Sequence, residues 1–382
     1  MIPYGRQDIS QDDIDAVVAV LRSEFITQGP AVELFERTVA AYCGVPHAVA
    51  VNSATSALHV ACIALGLGPG DRLWTSPNTF LASANAGAYC GAEVDFVDID
   101  PRTYNMSVEA LRAKLERAAR EGRLPRVVVP VHFAGQSCEM APIGELARRY
   151  GFRVIEDASH AIGAAYRGAP VGRCDFADIA VFSFHPVKIV TSGEGGVATT
   201  RDPELAGRMR LVRSHGMTRD PAQMTRAPEG PWDYEQIALG YNYRITDIQA
   251  ALGASQMKRI SDFVARRREI AERYDREFEG LPLVRPWQHP DTASSWHLYV
   301  VLVDPDRRRR AFEGLRAAGI GVNVHYIPVH TQPFYRERFG FAAGDFANAE
   351  AYYARAISLP MYAALTDAQQ SQVVDAVRRV LA

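Results

Sequence analysis

With 382 residues, 48% of them hydrophobic and 23% charged, the chain can bury a sizeable core and is expected to form one large domain and a smaller one. A formal charge of −2 offers no basic surface for nucleic acid or an anionic membrane, and no apolar run approaches the roughly 18 residues of a spanning helix. The five cysteines are widely spaced without a CxxC pair, which argues against a disulfide framework or a zinc site; the opening MIPYGRQDIS lacks the regions of a signal peptide, so a cytoplasmic protein is expected.

In chain order, HAVAVN (47–52) reads as a strand and ATSALHVACIAL as the helix after it. DRLWTS, EVDFVDID, RVVVPVH, RVIEDAS and ADIAVFSF are further strands, with helical patterns such as SVEALRAKLERAAR and APIGELARRYG between them. Short apolar runs alternating with helices predict an α/β fold with a mostly parallel central sheet covered on both faces, and ligands at the carboxyl ends of its strands. Residues 216–240, rich in Pro, Gly, Met and Arg, read as a surface loop. From about 245 one long helical stretch, ITDIQAALGASQMKRISDFVARRREIAERYDREFEG, leads into the strand WHLYVVLV, a helix, the strand GVNVHYIPV and two closing helices. The predicted units are 1–245 and a smaller C-terminal α+β unit, 246–382. The basic runs at 266–268 and 307–310 read as solvated helix faces.

The chain has only three lysines among its 42 basic residues. Lys114, in LRAKLERAAR, and Lys258, in SQMKRI, stand in polar runs and are expected to be solvated. Lys188 differs: within SFHPVKIVTSGEGG (183–196) it follows an apolar strand and precedes a glycine-rich turn. An arginine stays charged, whereas a buried lysine can be neutralised and become a nucleophile. Asp157 ends the strand RVIED, so an acid and a neutralisable lysine stand near two strand ends, as pyridoxal phosphate requires. NSATSA (52–57) carries a strand into a helix whose free N–H groups and Thr55 hydroxyl suit the cofactor phosphate, with Ser183 a further ligand. Alone, NSATSA reads equally well as a helix cap.

NSATSALHVA, SPNTFLASANA, EDASHAIGAAY, VFSFHPVK, GEGG and GYNYRITDIQAALG, in this order, resemble the nucleotide-sugar aminotransferases of the DegT family. The resemblance runs from PYGRQDIS and TQGP to HYIPVH and implies the fold type I, aspartate aminotransferase-like architecture. It implies Lys188 as the Schiff-base lysine, Asp157 on the pyridine nitrogen, Ala54, Thr55 and Ser183 on the phosphate, Phe80 stacked on the ring, and His160 near the ring hydroxyl. It implies pyridoxal 5'-phosphate, with pyridoxamine 5'-phosphate as the intermediate form, and no metal. It further implies a homodimer with shared active sites, Asn242 reaching across from the partner subunit. Tyr4, the segment Glu24, Phe25, Ile26 and Thr27, Asn242, and Val324, His325 and Tyr326 would meet a UDP-linked keto sugar, with L-glutamate as amino donor. His185 is a candidate for proton transfer or substrate contact. The motifs are similar to the branch that makes UDP-4-amino-4,6-dideoxy-N-acetyl-β-L-altrosamine for pseudaminic acid, the sugar of modified flagellin. A sister enzyme acting on a D-configured 4-keto or a 3-keto sugar, and more remotely a non-catalytic relative, are the alternatives.

Overall fold

The computed structural model describes residues 1–381. In chain order the longer strands are β1 (His47–Val51), β2 (Arg72–Thr75), β3 (Glu93–Phe96), β4 (Val127–Val129), β5 (Arg153–Asp157), β6 (Ile179–Ser183), β7 (Gly196–Thr200), β8 (Tyr299–Leu302) and β9 (Ala356–Leu359). The first seven form one sheet in the order β1-β7-β6-β5-β4-β2-β3. From β6 to β3 every pairing is parallel, and β7 runs antiparallel to both of its neighbours. The chain is therefore α/β with a mostly parallel sheet, as its apolar runs imply. Strand β7 was not among the predicted strands, because its sequence, GVATT, begins on the last glycine of GEGG.

The helices follow from their stripes and caps. They are α1 (Gln11–Leu21), α2 (Pro30–Cys43), α3 (Ala54–Ala64), α4 (Leu81–Tyr89), α5 (Val108–Glu121), α6 (Met140–Tyr150), α7 (Pro203–Arg213), α8 (Asp247–Met257) and α9 (Ile260–Glu277), then α10 (Pro305–Ala317), α11 (Pro333–Phe339), α12 (Ala347–Tyr353) and α13 (Asp367–Leu381). Helices α3, α4 and α7 close one face of the sheet around Leu58, Val60 and Met209. On the other, α2 and α8 pack over Phe182 and Phe184, whose full burial stabilises the fold by about 1.5–3 kcal/mol each. Strands β8 and β9 pair antiparallel and carry the C-terminal core. That unit is fastened to the sheet: Asp98 accepts hydrogen bonds from the N–H groups of Asn348 and Ala349 at the start of α12, each at 3.0 Å.

Four expectations are corrected. The long helical stretch is two helices, broken at Arg259, whose guanidinium is pinned by Asp8 and Asp13. GVNVHYIPV is no strand: only Asn323 bridges Ser358, and the following backbone groups bond elsewhere. The His325 carbonyl accepts from the Tyr352 hydroxyl, Tyr326 N donates to Asn78 Oδ1 and Val329 N to the Pro77 carbonyl, leaving nothing for a ladder. Arg267 is 2% exposed and not on a solvated face, since it stands at helical spacing from buried Phe263, Ile270 and Tyr274 on α9. Lys114 borders the buried stripe of α5, and its ammonium sits 2.6 Å from Asp95 and 4.8 Å above the Trp74 ring.

Candidate active site

The carboxyl ends of β1, β5 and β6 lie on one edge of the sheet, since β1 and β6 both run antiparallel to the strand between them. That edge gathers Asp157, Ser183, Lys188 and the start of α3. Asp157 is 5% exposed and tightly held. Ser83 Oγ donates to its Oδ2 at 2.6 Å and Ser159 N to its Oδ1 at 3.1 Å. A hydroxyl has one proton, so Ser83 receives its second bond from Thr79 Oγ1, 2.7 Å away. Ser83 and Thr79 were not among the predicted site residues, although both lie in SPNTFLASANA.

Lys188 follows the turn after β6, its N–H donating to the His185 carbonyl. Burial lowers its pKa from 10.5 to about 8, while the Asp157 carboxylate pulls the other way. Three imidazoles stand around this ammonium. His160 accepts from Ala134 N at Nδ1, 3.3 Å, so Nε2 carries the proton and donates to the Tyr326 hydroxyl at 2.9 Å. Burial and the Lys188 charge hold His160 well below the ordinary histidine value, and both also push His325 down to about 3. His325 Nδ1 pairs with Ser358 Oγ at 2.8 Å, and its ring lies 5.4 Å from Tyr4. His297, the third, was not among the predicted site residues. Burial raises the Tyr326 phenol strongly, keeping it protonated. Phe80, at the N-cap of α4, is 58% exposed and 6.2 Å from Tyr326, the setting of a ligand-facing ring and not of a core aromatic.

At the start of α3, Ser53 caps Ser56 N, and Ala54 and Thr55 occupy the half-buried first turn. Here β7 leaves no room for a side chain: a Cβ on Gly196 would stand 2.4 Å from the Ser53 carbonyl oxygen and 2.6 Å from Ala54 N. Ser183 closes the edge, its Oγ 3.5 Å from His185 N. Free amides at a helix N-terminus, hydroxyls, an acid and a neutralisable lysine on one edge fit pyridoxal phosphate. Gly196→Ala is expected to destabilise the protein by about 1–3 kcal/mol and to weaken cofactor retention, measured by thermal melting and equilibrium dialysis.

Other candidates lie elsewhere. His185 faces its own turn, accepting from Val187 N at 3.3 Å and standing 3.8 Å from Glu194. Val324 is half-buried beside Asn323. Glu24, Phe25, Ile26 and Thr27 are exposed and anchored to the start of α8, where Asp247 N donates to the Ile26 carbonyl and Thr27 bridges Thr246. Asn242, also exposed, pairs with Ser214. Close by, Gln28, Ser214 and Arg244 line a hollow of about 320 Å³. Among the described residues no helix is long and apolar enough to cross a membrane, and no cluster of potential metal ligands occurs.

Residues 7–378 match the DegT/DnrJ/EryC1/StrS aminotransferase family. The chain is 40% identical over 366 residues to the UDP-4-amino-4,6-dideoxy-N-acetyl-beta-L-altrosamine transaminase of Campylobacter jejuni, covering 95% of this chain and 93% of that one. Its structure matches that of Helicobacter pylori PseC, an aminotransferase involved in the biosynthesis of pseudoaminic acid, with a TM-score of 0.91, 32% identity, and 100% and 99% of the two chains covered. It also matches the PLP form of the putative sugar aminotransferase Spr1654 from Streptococcus pneumoniae, with a TM-score of 0.89, 30% identity and full coverage of both.

Proposed function

The chain belongs to the DegT/DnrJ/EryC1/StrS aminotransferase family, and from that premise we propose that it moves an amino group from L-glutamate to C4 of a UDP-linked 4-keto-6-deoxy-N-acetylhexosamine. The product would be UDP-4-amino-4,6-dideoxy-N-acetyl-β-L-altrosamine, a precursor of pseudaminic acid. The chain is a pyridoxal phosphate-dependent sugar aminotransferase with the type I fold. The reading of the reaction is carried by a lysine made neutralisable by burial and faced by the hydrogen-bonded carboxylate of Asp157. The choice of sugar is supported by the identity to the Campylobacter jejuni enzyme.

Bound here, pyridoxal phosphate would supply a carbonyl that takes up the amino group and a protonated ring that draws electrons from the adjacent carbon. The chain's residues then divide the work. Neutral Lys188 takes a proton from the α-carbon of L-glutamate and later delivers one to C4 of the sugar, and Asp157 keeps the pyridine nitrogen charged. Ala54, Thr55 and Ser183 would hold the phosphate, Phe80 would cover the ring, and His160 would stand at its hydroxyl. Tyr4, His325 and Tyr326 would meet the sugar, whereas His185, turned onto its own loop, and Val324 are given no part in it.

The exposed Asn242 and the segment 24–27 are anchored at the start of α8 and near Ser214, which supports their serving the site of a second copy. We assign a cytoplasmic homodimer with shared sites, each copy passing from its large to its small unit along α9, because α8 and the first turns of α9 pack in the core of the central sheet and the later turns of α9 in the C-terminal core.

The sugar is tested with enzyme in its pyridoxamine form, mixed separately with the two C5-epimeric UDP-N-acetyl 4-keto-6-deoxy sugars. Return of the pyridoxal-form absorbance with the L-arabino epimer alone is the expected result. Return only with the D-xylo epimer would move the enzyme to a sister reaction. Capture of pyridoxal phosphate by the cofactor-free protein should accelerate as pH rises through about 8, because only the neutral Lys188 amine attacks. A rate flat across that range would remove the lysine titration from the step.

A further inference from the structure

His160 is clamped from behind as well as in front. The segment Ser295–Leu298 runs against its rear and is stitched to the same backbone that holds it. Ala134 donates its N–H to His160 Nδ1 and accepts from Leu298 N at 3.2 Å, while Ser295 N donates to the Gly135 carbonyl at 3.1 Å and Ser295 Oγ to the His160 carbonyl at 3.1 Å. The approach is close enough that a Cβ on Gly135 would stand 2.9 Å from both Trp296 N and His297 N. Trp296 takes a left-handed φ of 52° to turn the chain there. The His297 ring then lies against that of His160, centroids 4.3 Å apart, and is 3% exposed.

What fixes this segment is unusual. Arg267 is buried without a carboxylate partner among the described residues and donates to three carbonyls: Trp296 at 3.1 Å, His297 at 3.3 Å and Met361 at 2.9 Å. A buried guanidinium is costly, and hydrogen bonds to neutral carbonyls offset that only in part. His297 adds to the cost, because its Nδ1 finds no partner among the described residues. An apolar pair would be cheaper for packing alone.

We propose that His297, held by Arg267, is a positioning residue of the active site: its ring is the wall that keeps His160 aligned on Tyr326. The inference rests on the proposed place of His160 beside the cofactor. His297→Ala removes the wall and His297→Phe restores a flat ring without the dry nitrogen.

In cofactor-free protein with ¹⁵N-labelled histidine, the alanine variant is expected to lose the His160 signature of a protonated Nε2 and an accepting Nδ1, and the phenylalanine variant to keep it. The phenylalanine variant should melt no lower than wild type. With the cofactor-loaded enzyme, His297→Ala should lower kcat by about tenfold or more with KM for the keto sugar nearly unchanged, and His297→Phe should recover most of that loss. Adding His297→Ala to His160→Ala should cost little more than His160→Ala alone. An unaltered His160 signature in the alanine variant, additive losses in the double variant, or failure of phenylalanine to restore the signature would overturn the proposal. Because the NMR arm needs no cofactor, it separates failure of this inference from failure of the proposed reaction.

Discussion

Lys188→Ala is expected to lower the rate of amino transfer by about 10⁴-fold or more while leaving a folded protein that melts no lower than wild type. The loss is large because one amine would serve as both nucleophile and proton carrier. The fold should survive because Lys188 gives its environment little: burial disfavours its charge and lowers its pKa to about 8, so the protein carries a strained cation there for most of the pH range below. Lys188→Arg should fail as completely, since a guanidinium keeps its proton. The checks are single-turnover kinetics for each half of the reaction and calorimetric melting. Amino transfer by the alanine variant near the wild-type rate would take Lys188 out of the chemistry.

Asp157→Asn is expected to slow amino transfer by about 10²-fold or more and to loosen the cofactor, because an amide is nearly the same shape but carries no charge to hold a proton on the pyridine nitrogen. The local frame should persist, for the one amide oxygen still accepts from the Ser159 N–H, and Ser83, by turning its proton to Thr79 Oγ1, can accept from the new NH2 group. A second effect has the opposite sign. Asp157 raises the Lys188 pKa against burial, so its neutralisation should move the midpoint for cofactor capture below about 8. Stopped-flow capture across pH, together with dialysis for affinity, measures both. Unchanged kinetics in this variant would mean that another acid serves the ring.

Much of this was legible in the sequence, for physical reasons. Six of the seven sheet strands announce themselves as short apolar or, for β3, alternating runs, and Lys188 stands out because arginine is preferred almost everywhere else. Strand β7 hides because its opening glycine is demanded by the Ser53 backbone and reads as part of a turn. Arg267 was open to discovery from the spacing Phe263, Ile270, Tyr274, had the basic run not suggested solvent. Ser83, 74 residues before Asp157, and His297, whose ring meets His160, acquire their parts only from tertiary proximity, which no local pattern encodes. GVNVHYIPV misleads in the other direction: its alternation is real, but side chains and distant loops claim the backbone groups a strand would use.

The absence of space at Gly196 reaches beyond cofactor binding. Because a strand of the central sheet backs the first turn of α3, the proposed phosphate grip would be part of the framework, whereas Tyr4 and the 324–326 stretch, proposed to meet the sugar, lie outside regular strands and helices. On that proposal, selection can rework which sugar is accepted through those loop positions without renegotiating the anchor. A lineage built this way diversifies its substrates on an inherited engine, and swapping the peripheral segments between relatives should transfer sugar preference while cofactor affinity stays put.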